Sequence, residues 1–296
     1  MKINPVLLKE AKVRMRNWKA AGMIAIYVGI LSFVALFILM NTLLDPYSSG
    51  ITKEHFMIAY MFLAGIQITI ISFIVPSLTS GCISGERERQ TLDLLLCTKL
   101  SPSSIIIGKL FTSISQVLLL IVASLPIFSI IFLFGGISIG ELLQLLLFYV
   151  VLTIMIGSIG IFFSTHLKRT TASTVLTYAV LFFLVVGTLI VTVFYYEFYI
   201  YRLPGNPVQK PTFPLLYINP AVAFIEMMAG QFGIHNGYLL PGINLGKLSV
   251  FKHIKFWHVN LIINFVTSIV LLTLSSIRLN PIKRRDNKGK AFKKKK

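Results

Sequence analysis

The feature that most constrains this chain is a set of six long apolar runs, at residues 20–44, 56–80, 110–134, 142–165, 171–196 and 259–277. A helix rises about 1.5 Å per residue, so roughly twenty apolar residues cross the hydrocarbon core of a bilayer. Hydrocarbon offers no partners to backbone N–H and C=O groups, which leaves helices and closed barrels as spanning structures. Barrel strands are about ten residues long and alternate in polarity, whereas these runs are longer and uniformly apolar. The expected fold is therefore all-α: an integral membrane protein with six transmembrane helices. The scarcity of charge agrees, since charged residues make up 13% of the chain against roughly a quarter in a soluble domain.

The charges that remain are placed unevenly. Of 28 Lys and Arg residues, only Lys53, Arg202, Lys210, Lys247, Lys252 and Lys255 fall in the loops on one side. The others fall on the opposite side, in residues 1–19, 81–109, 168–169 and 278–296. Positive residues mark the cytoplasmic side, so both termini are expected there, with residues 278–296 as a basic cytoplasmic tail. The same patterning explains the net charge of +18 without a nucleic-acid partner. The first run is longer than a signal-peptide core and no small-x-small site closes it, so it reads as a retained helix. Before it, residues 1–19 read as an interfacial helix. Asn4 and Pro5 suit its start, Leu7, Ala11, Met15 and Trp18 line one face, and Lys9, Lys12, Arg16 and Lys19 line another. Cys82 and Cys97 are too few and too far apart for a disulfide framework or a CxxC knuckle.

Two segments outside the runs carry pattern. Residues 81–109 hold a dense cluster, Glu86, Arg87, Glu88 and Arg89, followed by Leu92, Leu95 and Leu96 at helical spacing; Ser101 and Pro102 then look like the cap and first turn of the next helix. A loop that only reverses the chain needs a handful of residues. This longer one reads as a short amphipathic helix that offers a handle to a cytoplasmic partner. The external segment 197–258 is rich in Pro and Gly and contains Asn219-Pro220, a helix start, after which residues 221–229 are expected to dip into the outer interface.

Absences separate the remaining mechanisms. No Asp, Glu, Lys, Arg or His lies within the six runs, whereas ion-coupled carriers commonly keep such residues at membrane depth. There is no GxxxxGK[ST] loop and no HExxH motif, and the five histidines are scattered. Active transport would therefore need a separate engine, and no catalytic or metal site is expected on this chain. Within the spans, Thr170, Thr174, Thr177, Thr188 and Thr192 fall on one stripe of the fifth helix. Gln67, Thr69 and Ser72 mark the second, and Gln116 marks the third. Such groups either pack helices together or line a pathway. Pro76 and Pro126 each remove a backbone donor from their helices.

The segment from Ile83 through Ser84-Gly85-Glu86-Arg87-Glu88-Arg89-Gln90-Thr91-Leu92-Asp93 to Leu96, with Thr98 to Ser101 and Gly108-Lys109, resembles the cytoplasmic loop of permease subunits of the type 2 ATP-binding-cassette (ABC) exporters. The opening Asn4-Pro5-Val6-Leu7-Leu8-Lys9-Glu10, Arg14-Met15-Arg16 and Asn219-Pro220 are similar to the same family. Gln90 stands where that family usually has glycine, and Lys99 where proline is common. The resemblance implies a six-helix permease domain over residues 20–277 of an ATP-driven exporter in the plasma (inner) membrane of a bacterium. It implies a second permease subunit, identical or homologous, and two copies of a separate ABC ATPase that carry the ATP and Mg, with no cofactor on this chain. Glu86, Arg87, Glu88, Arg89, Thr91 and Leu92 would form the coupling helix. Thr174, Thr177, Thr188, Thr192 and Gln67 would lie near the pathway or subunit interface. The alternative is a non-transporting membrane scaffold or assembly factor that uses the same loop to dock a partner.

Overall fold

The computed structural model describes residues 18–44, 53–97, 101–133, 137–195, 197–198, 214–233 and 255–279. Six helices among them are long and apolar enough to cross a bilayer. They are α1 (Trp18–Leu44), α2 (Lys53–Thr79), α5 (Pro102–Leu133), α6 (Ile139–His166), α7 (Thr170–Tyr195) and α9 (Phe256–Leu279). Three short helices complete the set: α3 (Ser84–Glu88) and α4 (Leu92–Leu96) between α2 and α5, and α8 (Pro220–Gln231) between α7 and α9. The interfacial helix expected over residues 1–19 lies outside the described residues, apart from Trp18 and Lys19 at the start of α1. Most of the basic tail, 280–296, and much of the external segment, 199–213 and 234–254, lie outside them too.

Helix α6 is the axis of the bundle, packing against α2, α5, α7 and α9. In its most apolar stretch 67% is buried, against 11% for α1 and 17% for α7. Its start is fixed by a reciprocal cap. Ser138 Oγ accepts from the Glu141 N–H at 3.3 Å, and the Ser138 N–H donates to Glu141 Oε2 at 2.7 Å. Some polar groups inside the bundle are paired between helices, as lipid-embedded packing favours. Gln67 of α2 is fully buried and donates to Ser124 Oγ of α5 at 3.0 Å. The Tyr149 hydroxyl of α6 donates to the Ala64 carbonyl of α2 at 2.9 Å.

Small residues let α6 approach its neighbours closely. A Cβ built on Gly160 would sit 2.1 Å from Thr79 Oγ1 and 3.2 Å from the Ser80 backbone nitrogen. One on Gly157 would lie 2.9 Å from a Leu110 methyl. Replacing Gly160 therefore forces α2 and α6 apart where they carry the loop to α3. Gly160→Ala is expected to cost about 1–3 kcal/mol, as overpacked cores do, read as a lower melting temperature in detergent. Gly65→Ala, which meets open space, should leave that temperature unchanged or raise it slightly.

Candidate coupling surface

Beyond Thr79 the chain turns, and the amide groups that open α3 need acceptors. Ile83, at the cap position, supplies none from its own side chain. The Ile83 and Ser84 N–H groups both donate instead to Ser164 Oγ of α6, each at 2.9 Å, so a buried hydroxyl on another helix caps α3. The charged residues that follow are largely tied to the protein itself. Glu86 pairs with Lys109 of α5. Arg87 donates to the Leu167 carbonyl at 2.9 Å and the Thr165 carbonyl at 3.1 Å, clasping the turn between α6 and α7.

Glu88 does for α7 what Ser164 does for α3. Arg169 precedes α7 without a side-chain cap of its own. The Glu88 carboxylate accepts from the Thr170 N–H at 2.8 Å and the Thr170 hydroxyl at 2.9 Å, placing negative charge at the positive end of the helix dipole. The Thr170 backbone donor and then its hydroxyl hold the Glu88 carboxyl below the usual carboxylate range. Arg89, Gln90 and Thr91 are exposed. Leu92 is buried with Ile83, Ile106, Leu110 and Leu279, anchoring α4 on the bundle. Of the residues expected to form the coupling helix, Glu86, Arg87 and Leu92 thus face the protein. Glu88 is shared, and Arg89 and Thr91 face outward together with Asp93.

The expected single helix is broken in two, and Gln90 is the reason. Its φ of +58° is left-handed. The Gln90 N–H reaches the Arg87 carbonyl at 3.2 Å and the Thr91 N–H reaches the Glu86 carbonyl at 2.9 Å, the bond pattern of a helix ending on a left-handed residue. Glycine adopts that conformation freely, whereas a residue with a Cβ is strained there by about 1–2 kcal/mol. Gln90→Gly is therefore expected to stabilise the α3–α4 turn by about 1 kcal/mol. The check is slower hydrogen exchange at the Thr91 amide, roughly fivefold by the same energy.

The threonine stripe of α7 faces its own chain. Thr177, Thr188 and Thr192 are buried and Thr174 half-buried. Each hydroxyl donates to the carbonyl one turn back, at 2.6–3.0 Å, and Thr174 also meets Ser80 Oγ of α2 at 2.8 Å. Midway along α7 the helix widens into a π-turn at Phe183–Gly187. Asn219 docks there. Its Nδ2 donates to the Val185 carbonyl at 2.9 Å and to Thr188 Oγ1 at 2.7 Å, while its Oδ1 caps α8 through the N–H groups of Ala221 and Val222 at 2.8 and 3.3 Å. Val185 is fifteen residues into α7, about 22 Å along the axis, so α8 starts beside the middle of α7 and not beyond its end. The Asn219-Pro220 signal marked the cap but not this position. Asn219→Ser keeps a capping oxygen and loses both donated bonds, whereas Asn219→Ala loses all four. Expected losses of stability are about 1–2 and 3 kcal/mol or more, ordered by melting temperature in one detergent.

Comparison with curated proteins finds no match. Five of the six spans and the segment around α3 and α4 have a family counterpart: residues 47–277 match the ABC-2 family transporter proteins, a stretch that includes α2, α5, α6 and α7 whole and α9 up to Ile277. The chain belongs to the ABC-2 family of transporter proteins, as a multi-pass membrane permease.

Proposed function

We propose that this chain is the transmembrane subunit of an ATP-driven exporter. In this reading two permease subunits, identical or homologous, enclose the pathway. Two copies of a separate ABC ATPase, holding ATP and Mg, dock on the α3–α4 segment from the cytoplasm, at the plasma membrane of a bacterium. The observation that carries the reading is the two-sided character of α3. On α3 itself Arg87 and Glu88 are bonded to the α6–α7 turn, and just beyond it Arg89, Thr91 and Asp93 are exposed.

A partner that moves α3 therefore moves the first turn of α7 with it, through Arg87 to the Leu167 and Thr165 carbonyls and through Glu88 to Thr170. ATP shifts the permease only if the closed ATPase pair contacts α3 differently from the open pair. The pathway or subunit interface is proposed along α2 and α7. There Gln67, Thr174, Thr177, Thr188 and Thr192 shape the helices from within, and the apolar outer faces of α7 meet the second subunit.

The test uses a co-expressed ABC ATPase and the permease in nanodiscs. Arg89→Ala should weaken ATPase binding about tenfold, as loss of a charged contact does, with the permease melting temperature unchanged. Thr170→Val should leave ATPase binding intact and lower ATP-dependent cargo movement, because it removes one of the two bonds from Glu88 to Thr170 and so weakens the link between α3 and α7. Normal binding with Arg89→Ala removes the coupling assignment. Binding without any ATP-dependent movement of cargo in liposomes identifies a docking scaffold instead.

A further inference from the structure

Helix α7 is held in two halves by different neighbours. The near half, Thr170–Phe182, is tied to α2 and α3. Thr170 is bonded to Glu88, Thr174 meets Ser80 at 2.8 Å, and the Tyr178 hydroxyl donates to the Phe73 carbonyl of α2 at 2.6 Å. The far half, Thr188–Tyr195, packs against the turn at Pro214–Ile218 and is tied to the cap of α8, where Asn219 reaches Thr188. The π-turn at Phe183–Gly187 is the boundary, and across it the Thr188 N–H reaches back five residues to the Phe183 carbonyl. Asn219 is fully buried. It grips the turn from outside, donating to the Val185 carbonyl within it and to Thr188 Oγ1 just beyond.

A π-turn holds one residue more than an α-turn, so everything beyond it is set back by one residue's rotation, about 100°. The threonines record the difference. In an unbroken α-helix Thr170, Thr174, Thr177, Thr188 and Thr192 would fall within about 60° of one another. With the π-turn in place, Thr188 and Thr192 are turned about 100° out of line with the other three, and Thr188 meets Asn219. One sequence thus suits two registers. Asn219 holds the first, and Gly187 belongs to it, since a Cβ there would lie 2.6 Å from the Phe183 ring. The second aligns all five threonines on the face that the near half turns to α2 and α6. We propose that the π-turn is a swivel: when Asn219 lets go, α7 closes into an unbroken α-helix and its far half turns about 100° against the near half. The surface that α7 presents at the end of the bundle away from α3 is thereby switched. The swivel belongs to this chain alone and stands whether or not an ATPase docks on α3.

The experiment measures spin-label distances by pulsed electron paramagnetic resonance on the full-length protein in nanodiscs, with Cys82→Ala and Cys97→Ser as background. One label sits at Leu143→Cys on α6, and the other at Val191→Cys, Val193→Cys or, on the near half, Val175→Cys; all four positions are exposed. Gly187→Ala crowds the π-turn and favours the unbroken helix, and should shift the ratio of the registers about fivefold toward the second. Asn219→Ser keeps the cap of α8, frees Val185 and Thr188, and should shift the ratio the same way. Val191 and Val193 lie about 200° apart round the helix. A turn about the axis therefore brings one label nearer to Leu143 and takes the other away, by up to about 8 Å, while the Val175 distance stays constant. Deleting Val186 from the Gly187→Ala protein removes the extra residue, keeps both halves facing as they do here, and should restore the single set of distances. Unshifted distances in both Gly187→Ala and Asn219→Ser overturn the proposal. So do Val191 and Val193 moving in the same sense, which is a tilt, an equal movement at Val175, or a second population that survives the deletion. Should one of the two substitutions fail to fold, the other decides.

Discussion

Hydrocarbon supplies no hydrogen bonds, so wherever this chain leaves the regular helix at or within the bilayer, a side chain from elsewhere must take over the backbone groups set loose. Four such repairs organise the molecule. Ser164 takes the amides that open α3, and Glu88 takes those that open α7. Asn219 takes the Val185 carbonyl within the π-turn of α7, and Asn260 takes the carbonyls of Tyr217 and Asn219 beside it. Each repair joins elements distant in sequence, so the termini of the short helices double as the ties between the long ones.

That explains which parts could be read in advance. Spans announce themselves because apolarity is a property of each run alone. Ser101 before Pro102 and Asn219 before Pro220 are likewise local: Ser101 Oγ accepts from the Ser104 N–H at 3.3 Å, and Asn219 caps α8. The cap of α6 was local too. Ser138 and Glu141 have the spacing of a capping box, yet the apolar run was drawn from Leu142 because hydropathy, and not the cap, set its edge. The third span shows the same effect, starting at Pro102 rather than at Leu110, because its first turns lie outside the apolar run.

The tertiary repairs were not legible. A cluster such as Glu86 to Arg89 signals a polar surface, but nothing in its spacing reveals that Arg87 and Glu88 turn toward the α6–α7 junction. The absence of glycine at position 90 was visible, while its meaning, a strained left-handed residue that divides the segment into α3 and α4, needed the backbone. The threonine stripe was visible as well. Its hydroxyls proved to bond their own helix, a choice that periodicity does not make.

The close contact at Gly160 carries a mechanical consequence. With Thr79 lodged against it, α2 and α6 lack the clearance to slide past one another, and α5 is held to the same pair through Gln67 and Leu110. Together they form a stiff spine. Helices α1 and α7 bury little of their length inside the bundle, so tilting them breaks the fewest contacts. Compliance in this molecule is concentrated in its flanks, one of which is bolted to the α3–α4 segment at Thr170.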